Sequence, residues 1–209
     1  MGILPAPGFR RSVRLEGCDY TQAGAYFVTV CSYGRVSLFG DIRYKEMHLN
    51  GFGHRVEAEW LKTGTLRSNV DLDEYIVMPN HFHGILIISG ALMEGTARRA
   101  PTAPRFGQPV VSSLATFIRS FKSATTRSIN QLRHAPGLPV WQRNYYEHVI
   151  RDDTSLDRIR EYILSNPSRW ALDRENPDRT GADEFDLWLS ALEGKPSLNR
   201  PYEPHKGNP

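Results

Sequence analysis

Apolar positions along the chain repeat at two periods, one suited to strands and one to helices. Residues 25–32 (AYFVTVCS) are dense in aromatic and β-branched side chains and predict a strand. A weaker strand is expected over 36–42, after the Tyr33-Gly34 turn. Asn50 is placed to cap a helix running to about Leu66, with Val56, Trp60 and Leu61 on its inner side. Two strands follow, about 70–78 and 81–89, joined tightly by Pro79-Asn80. From about 112 to 133, Leu114, Phe117, Ile118, Phe121 and Ile129 recur at helical spacing, with Arg119, Lys122, Arg127 and Arg133 on the other faces. Residues 145–151 (YYEHVIR) read as a short strand. Thr154 or Ser155 then caps a helix with Leu156, Ile159 and Ile163 as its buried stripe. Pro167 ends that helix, because a residue before proline avoids the α region. Beyond Trp170 the chain turns polar, with room for one more amphipathic turn or two at 184–192.

The order strand, strand, helix, hairpin, helix, strand, helix predicts an α+β fold with helices against an antiparallel sheet. A length of 209 residues suits one domain that buries a core without disulfides or structural metals. The expected division is an N-terminal arm at 1–19, a catalytic domain at 20–172 and a C-terminal tail at 173–209. Within the domain, 90–109 is rich in Gly, Ala, Pro and Arg without periodicity and reads as a mobile basic loop.

Charge adds a partner class to this picture. The net charge is only +3, yet between Gly95 and Tyr146 there are eight Lys or Arg and no Asp or Glu. One segment carries the whole positive excess, which points to a polyanion; a solvated basic face without a partner is the bland alternative. Cys18 lies in a polar stretch and Cys31 in an apolar run, with no CxxC pair or zinc spacing, so a reducing cytoplasm is expected. The basic, proline-containing start lacks the apolar stretch of a signal peptide, and the longest apolar run is too short for a bilayer, so no membrane partner is expected.

Two clusters carry candidate chemistry. His81 and His83 flank Phe82 on a predicted strand, so both imidazoles project to one side. The strand is apolar on both faces, as a central strand is, and a buried polar group without a partner costs about 1–3 kcal/mol. A divalent metal would satisfy both rings; hydrogen bonds to backbone at the strand end are the alternative. Tyr162 and Asn166 lie four residues apart and share a helix face. A tyrosine packed on the sheet and an asparagine closing a helix are the ordinary readings of that pair. Their combination with HxH adds another. A phenol is a weak nucleophile near neutral pH, a metal that polarises a phosphate offsets this, and an Asn oxygen beside two imidazoles makes a site suited to Mg²⁺ or Mn²⁺.

Three blocks, MPNHFHG at 78–84, WQRNYYEHVIR at 141–151 and YILSNP at 162–167, resemble in matching order the signatures of single-tyrosine HUH transposases. The resemblance runs from about Tyr20 to Trp170 and is strongest to the REP-associated tyrosine transposases, relatives of the insertion sequence 200-like elements. It implies a ferredoxin-like or RRM-like sheet with helices packed on one face, and a helix carrying the nucleophile across the sheet. By position it implies His81 and His83 as metal ligands, Asn166 completing the metal site, and Tyr162 as the nucleophile. His148 falls in a motif of that branch, where contact with phosphate, proton transfer and a structural role all remain open. The implied partner is single-stranded or hairpin DNA, and a monomer is favoured over a homodimer.

The expected activity is therefore nicking and strand transfer through a 5′-phosphotyrosine, with Arg98, Arg99, Arg105, Arg119, Lys122, Arg127, Arg143, His148 and Arg151 as DNA contacts. Phe106, Tyr145 and Tyr146 are candidates for stacking on unpaired bases, while Trp141 is expected in the core. Two competing readings are a non-catalytic single-stranded nucleic-acid-binding module and a metal phosphodiesterase that uses water. The RNP aromatic pattern expected of the first is missing.

Overall fold

The computed structural model describes residues 23–89 and 113–192. The expected arm at 1–19, Cys18, the basic loop with Arg98, Arg99, Arg105 and Phe106, and the last part of the expected tail, 193–209, lie outside the described residues.

Strands β1 (Gly24–Cys31), β4 (Val70–Val77), β5 (His81–Ile88) and β6 (Tyr146–Ile150) form one antiparallel sheet in the order β4-β5-β1-β6. Helix α1 (Gly51–Thr65) links β1 to β4, and α2 (Leu114–Leu132) links β5 to β6. This β-α-β-β-α-β path is the ferredoxin-like arrangement, and the α+β antiparallel class expected from the sequence holds. Helix α3 (Asp153–Ser165), a 3₁₀ segment (Asn166–Leu172) and α4 (Glu184–Leu192) follow. A separate hairpin of β2 (Gly40–Arg43) and β3 (Glu46–Leu49) occupies part of the stretch expected as one weaker strand. Tyr44 and Lys45 make its turn with positive φ, so the glycine or asparagine that announces such turns in a sequence is absent.

Helices cover both faces of the sheet, which corrects the expectation of one face. Even-numbered residues of β1 and β5 (Tyr26, Val28, Val30, Phe82, Leu86, Ile88) pack with Trp60 of α1 and Phe117, Ile118 and Phe121 of α2. Odd-numbered Phe27 and Ile85 pack with Ile150, with Ile159, Tyr162 and Ile163 of α3, and with Phe185 and Leu189 of α4. A strand apolar on both sides requires cover on both sides, and α1 and α2 supply only one layer. Gly84, at the end of the HxHG run, lets the two layers close: a Cβ there would lie 2.8 Å from the Trp60 ring. Leu61, expected inside, is 47% exposed; Val56 and Trp60 fill the inner face of α1 without it. The Asn50 side chain caps α1 as expected, whereas Asp152 rather than Thr154 or Ser155 caps α3, accepting from Ser155 N at 2.8 Å. Among the described residues no helix is long and apolar enough to cross a membrane.

Candidate active site

The site forms where β5 begins. His81 and His83 point to the α3 side of the sheet with ring centroids 4.3 Å apart. Their cross-strand neighbours are Cys31 and Thr29 of β1. Both imidazoles are buried, and each is held at Nδ1, His81 by Asn80 Oδ1 and His83 by Thr29 Oγ1, both at 2.9 Å. Asn80 is itself fixed, because its Nδ2 donates to the carbonyls of Arg35 and Glu175. Its oxygen is then an acceptor, so His81 Nδ1 carries the proton and His81 Nε2 presents a lone pair.

The opposite wall comes from the chain after α3. Pro167 lacks the N–H needed to extend the α-helix, and the backbone tightens into the 3₁₀ segment. That turn keeps Asn166 buried, stacks Trp170 on His81 and returns Asp173 to the histidines. Asp173 Oδ2 lies 3.7 Å from His81 Nε2 and 3.9 Å from His83 Nε2. The same oxygen accepts from Asn166 Nδ2 at 2.8 Å and from the Tyr162 hydroxyl at 3.3 Å, while Oδ1 accepts from Glu175 N at 2.6 Å. Asp173 is the residue that sequence reasoning missed, and the boundary expected at 172 and 173 falls inside this group. The described part of the expected tail, 173–192, is packed onto the site.

Two orphaned atoms test whether this group suits a cation. His81 Nε2 and Asn166 Oδ1 are buried without a hydrogen-bond partner. Leaving either unsatisfied costs about 1–3 kcal/mol. Both are lone-pair donors beside a carboxylate, so no hydrogen bond among them relieves the conflict, but a divalent ion does. His81, His83 and Asp173 each offer one ligand atom, all within 4.8 Å of one another. Burial drives the His81 pKa down to about 3, keeping it neutral as a ligand must be. Burial pushes the Asp173 carboxyl up, but the neighbouring imidazoles and the Asn166 amide outweigh it and hold the group below the usual carboxylate range. Mixed nitrogen and oxygen donors suit Mg²⁺, Mn²⁺ or a related ion.

Tyr162 completes the cluster from α3, with its hydroxyl 3.4 Å from His83 Nε2. One chain therefore gathers both histidines, Asn166, Asp173 and the phenol. The phenol is sealed rather than standing with its hydroxyl in water. It is 2% exposed and stacks on Phe185 of α4 with centroids 3.7 Å apart. Burial, followed by the charges of Asp173, Asp186, Asp183 and Glu175, raises its pKa well above the usual phenol value. A residual cavity of about 10 Å³ between Tyr162, His83, Phe185 and Asp186 has room for roughly one water.

The other candidate residues lie elsewhere. Arg119, Lys122 and Arg127 are on α2, across the sheet, and Arg143 and Arg151 flank β6. Lys122 donates to the carbonyls of Gln142, Arg143 and Asn144, so its ammonium is committed within the chain. His148 is half-buried on the histidine face, paired with Phe27 and outside the ligand cluster. Trp141 is buried, as expected.

Comparison with known proteins sets this geometry in context. No protein-family model matches the chain. An uncharacterized protein of Haemophilus influenzae is 37% identical over 169 residues, spanning 79% of this chain and 92% of that one. The two belong to one family. A solved structure of the REP-associated tyrosine transposase bound to a REP hairpin superposes with a TM-score of 0.50, at 17% identity, covering 98% of each chain. The chain has the fold of a REP-associated tyrosine transposase. The resemblance read from the three sequence blocks is thus borne out in the fold. A crystal structure from Deinococcus radiodurans R1 with a provisional transposase name matches only at a TM-score of 0.36 and 16% identity, covering 72% of this chain and 96% of that one, and carries no weight.

Proposed function

We propose that the chain is a single-tyrosine HUH transposase of the REP-associated kind, nicking and rejoining single-stranded DNA. The observation that carries this reading is the convergence of four groups: the orphaned His81 Nε2, the orphaned Asn166 Oδ1, Asp173 and the Tyr162 hydroxyl. His81, His83 and Asp173 would hold a divalent ion, with the Asn166 oxygen beside them. That ion supplies Lewis-acid polarisation of a phosphate oxygen. Tyr162 Oη attacks phosphorus, the P–O3′ bond breaks, and the upstream 3′-oxygen leaves and is protonated. Asp173 Oδ2, which accepts the phenol's hydrogen bond, orients the hydroxyl, while the phenol proton leaves to solvent and the departing 3′-oxygen takes its proton from solvent. The 5′-phosphotyrosine conserves the bond energy, so another 3′-hydroxyl reverses the step and strands are exchanged without ATP. Hairpin DNA with a single-stranded flank is the proposed substrate, following the neighbour bound to a REP hairpin. Exposed Arg119, Arg127, Arg143 and Arg151 are proposed contacts to its phosphates.

Because Tyr162 lies beneath Phe185, the α4 layer must shift before a phosphate reaches the phenol. The decisive test is a denaturing gel of protein incubated with labelled hairpin-flanked oligonucleotide and Mn²⁺. A protein–DNA band present in the wild type and absent from Tyr162→Phe, with DNA affinity nearly unchanged, is the expected result. Free cut product without that band would indicate attack by water, and uncut DNA a binding module.

A further inference from the structure

One groove of the molecule lies away from the metal site and holds two of the proposed phosphate contacts. It lies between the exposed side of α2 and the 137–143 loop and has a volume of about 510 Å³, within the usual range of ligand sites. Arg127 and Arg143 line it and are exposed, and neither side chain makes an ion pair among the described residues. The hydroxyls of Ser123 and Thr126 also line it. From 113 to 146 the sequence contains no Asp or Glu, so no carboxylate of this segment neutralises the groove. Lys122 ties the loop to α2 through three main-chain carbonyls, which fixes the spacing of the two walls.

The groove is connected to the active site by a short path. Gln142, on its wall, donates its backbone N–H to the Cys31 carbonyl at 2.9 Å, and Cys31 is the cross-strand partner of His81. Adjacent chains in a sheet are about 4.8 Å apart, so the groove wall and the first histidine are two chain spacings, roughly 10 Å, from each other. Tyr33 stands at the same end. Its backbone N–H donates to the carbonyl of Val140, another wall residue, while its ring is 60% exposed. An exposed aromatic next to a cationic channel is the combination that single-stranded nucleic acid uses, bases on the ring and phosphates on the arginines.

The geometry points to this groove as the seat of the single-stranded flank of the DNA substrate, which passes from the metal site around the end of β1, stacks a base on Tyr33 and lays its phosphates along Arg143 and Arg127. The inference rests on the transposase reading for the direction of the strand. It requires of the groove itself only that it bind single-stranded DNA.

Fluorescence anisotropy of the full chain with labelled oligothymidylate at several salt concentrations tests it. Arg127→Glu with Arg143→Glu should weaken binding about tenfold or more and lower the salt slope by about 0.7 for each phosphate left without its arginine. Tyr33→Ala should weaken binding about tenfold and Tyr33→Phe should restore it, since stacking needs the ring and not the hydroxyl. Lys45→Glu with Arg55→Glu makes the same change in net charge on exposed residues outside the groove and should have little effect. Wild-type affinity in the groove variants, or an equal loss in the Lys45 and Arg55 variant, overturns the proposal. The covalent-adduct gel separates its fate from that of the catalytic reading. If the wild type forms no adduct yet the groove variants lose affinity, the groove stands and the transposase chemistry fails. If the adduct forms and the groove variants bind normally, the groove alone fails.

Discussion

His81 shows how much one buried side chain decides. Its Nδ1 is protonated against Asn80, its Nε2 faces Asp173, and burial lowers its pKa from 6.5 to about 3. Between those two values the unfolded chain takes up a proton that the folded site refuses. Stability from this residue is therefore complete above pH 6.5 and lost as pH falls toward about 3. With metal removed by chelation, the cost should be on the order of 3 kcal/mol by about pH 4. Urea unfolding of wild type and His81→Gln across this range checks the sign. The wild-type midpoint should fall more steeply with acid, and equal slopes would mean that His81 takes its proton without cost. The residues whose chemistry is local were legible in the sequence. Alternation placed the two histidines on one side, and helical spacing placed Tyr162 and Asn166 together. Asp173 was not legible, because it follows a 3₁₀ turn in a polar stretch where neither period applies.

At the scale of elements, strong local signals survived folding and weak ones did not. The Asn50 cap, the tight Pro79-Asn80 connection and the apolar stripe of α2 each correspond to an observed feature, because each is specified by residues within one or two turns. The second helical layer is a tertiary consequence of β1 and β5 being apolar on both sides, visible only once the sheet order is known. Helix α4 is the element with the largest consequence for function, since Phe185 stacks on Tyr162. Phe185→Ala should cost about 3–5 kcal/mol and open the phenol to solvent. Nitration by tetranitromethane, mapped by peptide mass spectrometry, reads this directly. Tyr162 should stay unmodified in the wild type and react in Phe185→Ala, with exposed Tyr33 and Tyr44 modified in both. If Tyr162 in the wild type reacts as readily as Tyr44, α4 does not hold the site closed.

Among the described residues charge is unevenly placed. Exposed arginines lie on α2 and the loop after it, while Asp173, Glu175, Asp183 and Asp186 gather around the phenol, where Arg35 and Arg174 pair with Glu175 and Arg169 pairs with Asp183. Asp173 makes no ion pair with Lys or Arg among the described residues, so a cation beside the histidines would meet its charge. A cation there also joins parts of the chain far apart in sequence, the start of β5 and the segment from Asn166 to Asp173. Binding to the folded state alone raises stability by about 2.7 kcal/mol at a free ion concentration a hundredfold above Kd. For a chain of this length that corresponds to a rise in Tm of about 5–10 °C. Mn²⁺ added to chelator-treated protein should produce this rise in the wild type and in Tyr162→Phe, which keeps the ligand set. Asp173→Asn keeps the shape of the side chain but removes its charge, and His83→Ala removes a ligand. Both should lose most of the shift. A shift of equal size in all four proteins would place the ion elsewhere and leave His81 Nε2 and Asn166 Oδ1 as buried atoms without a purpose.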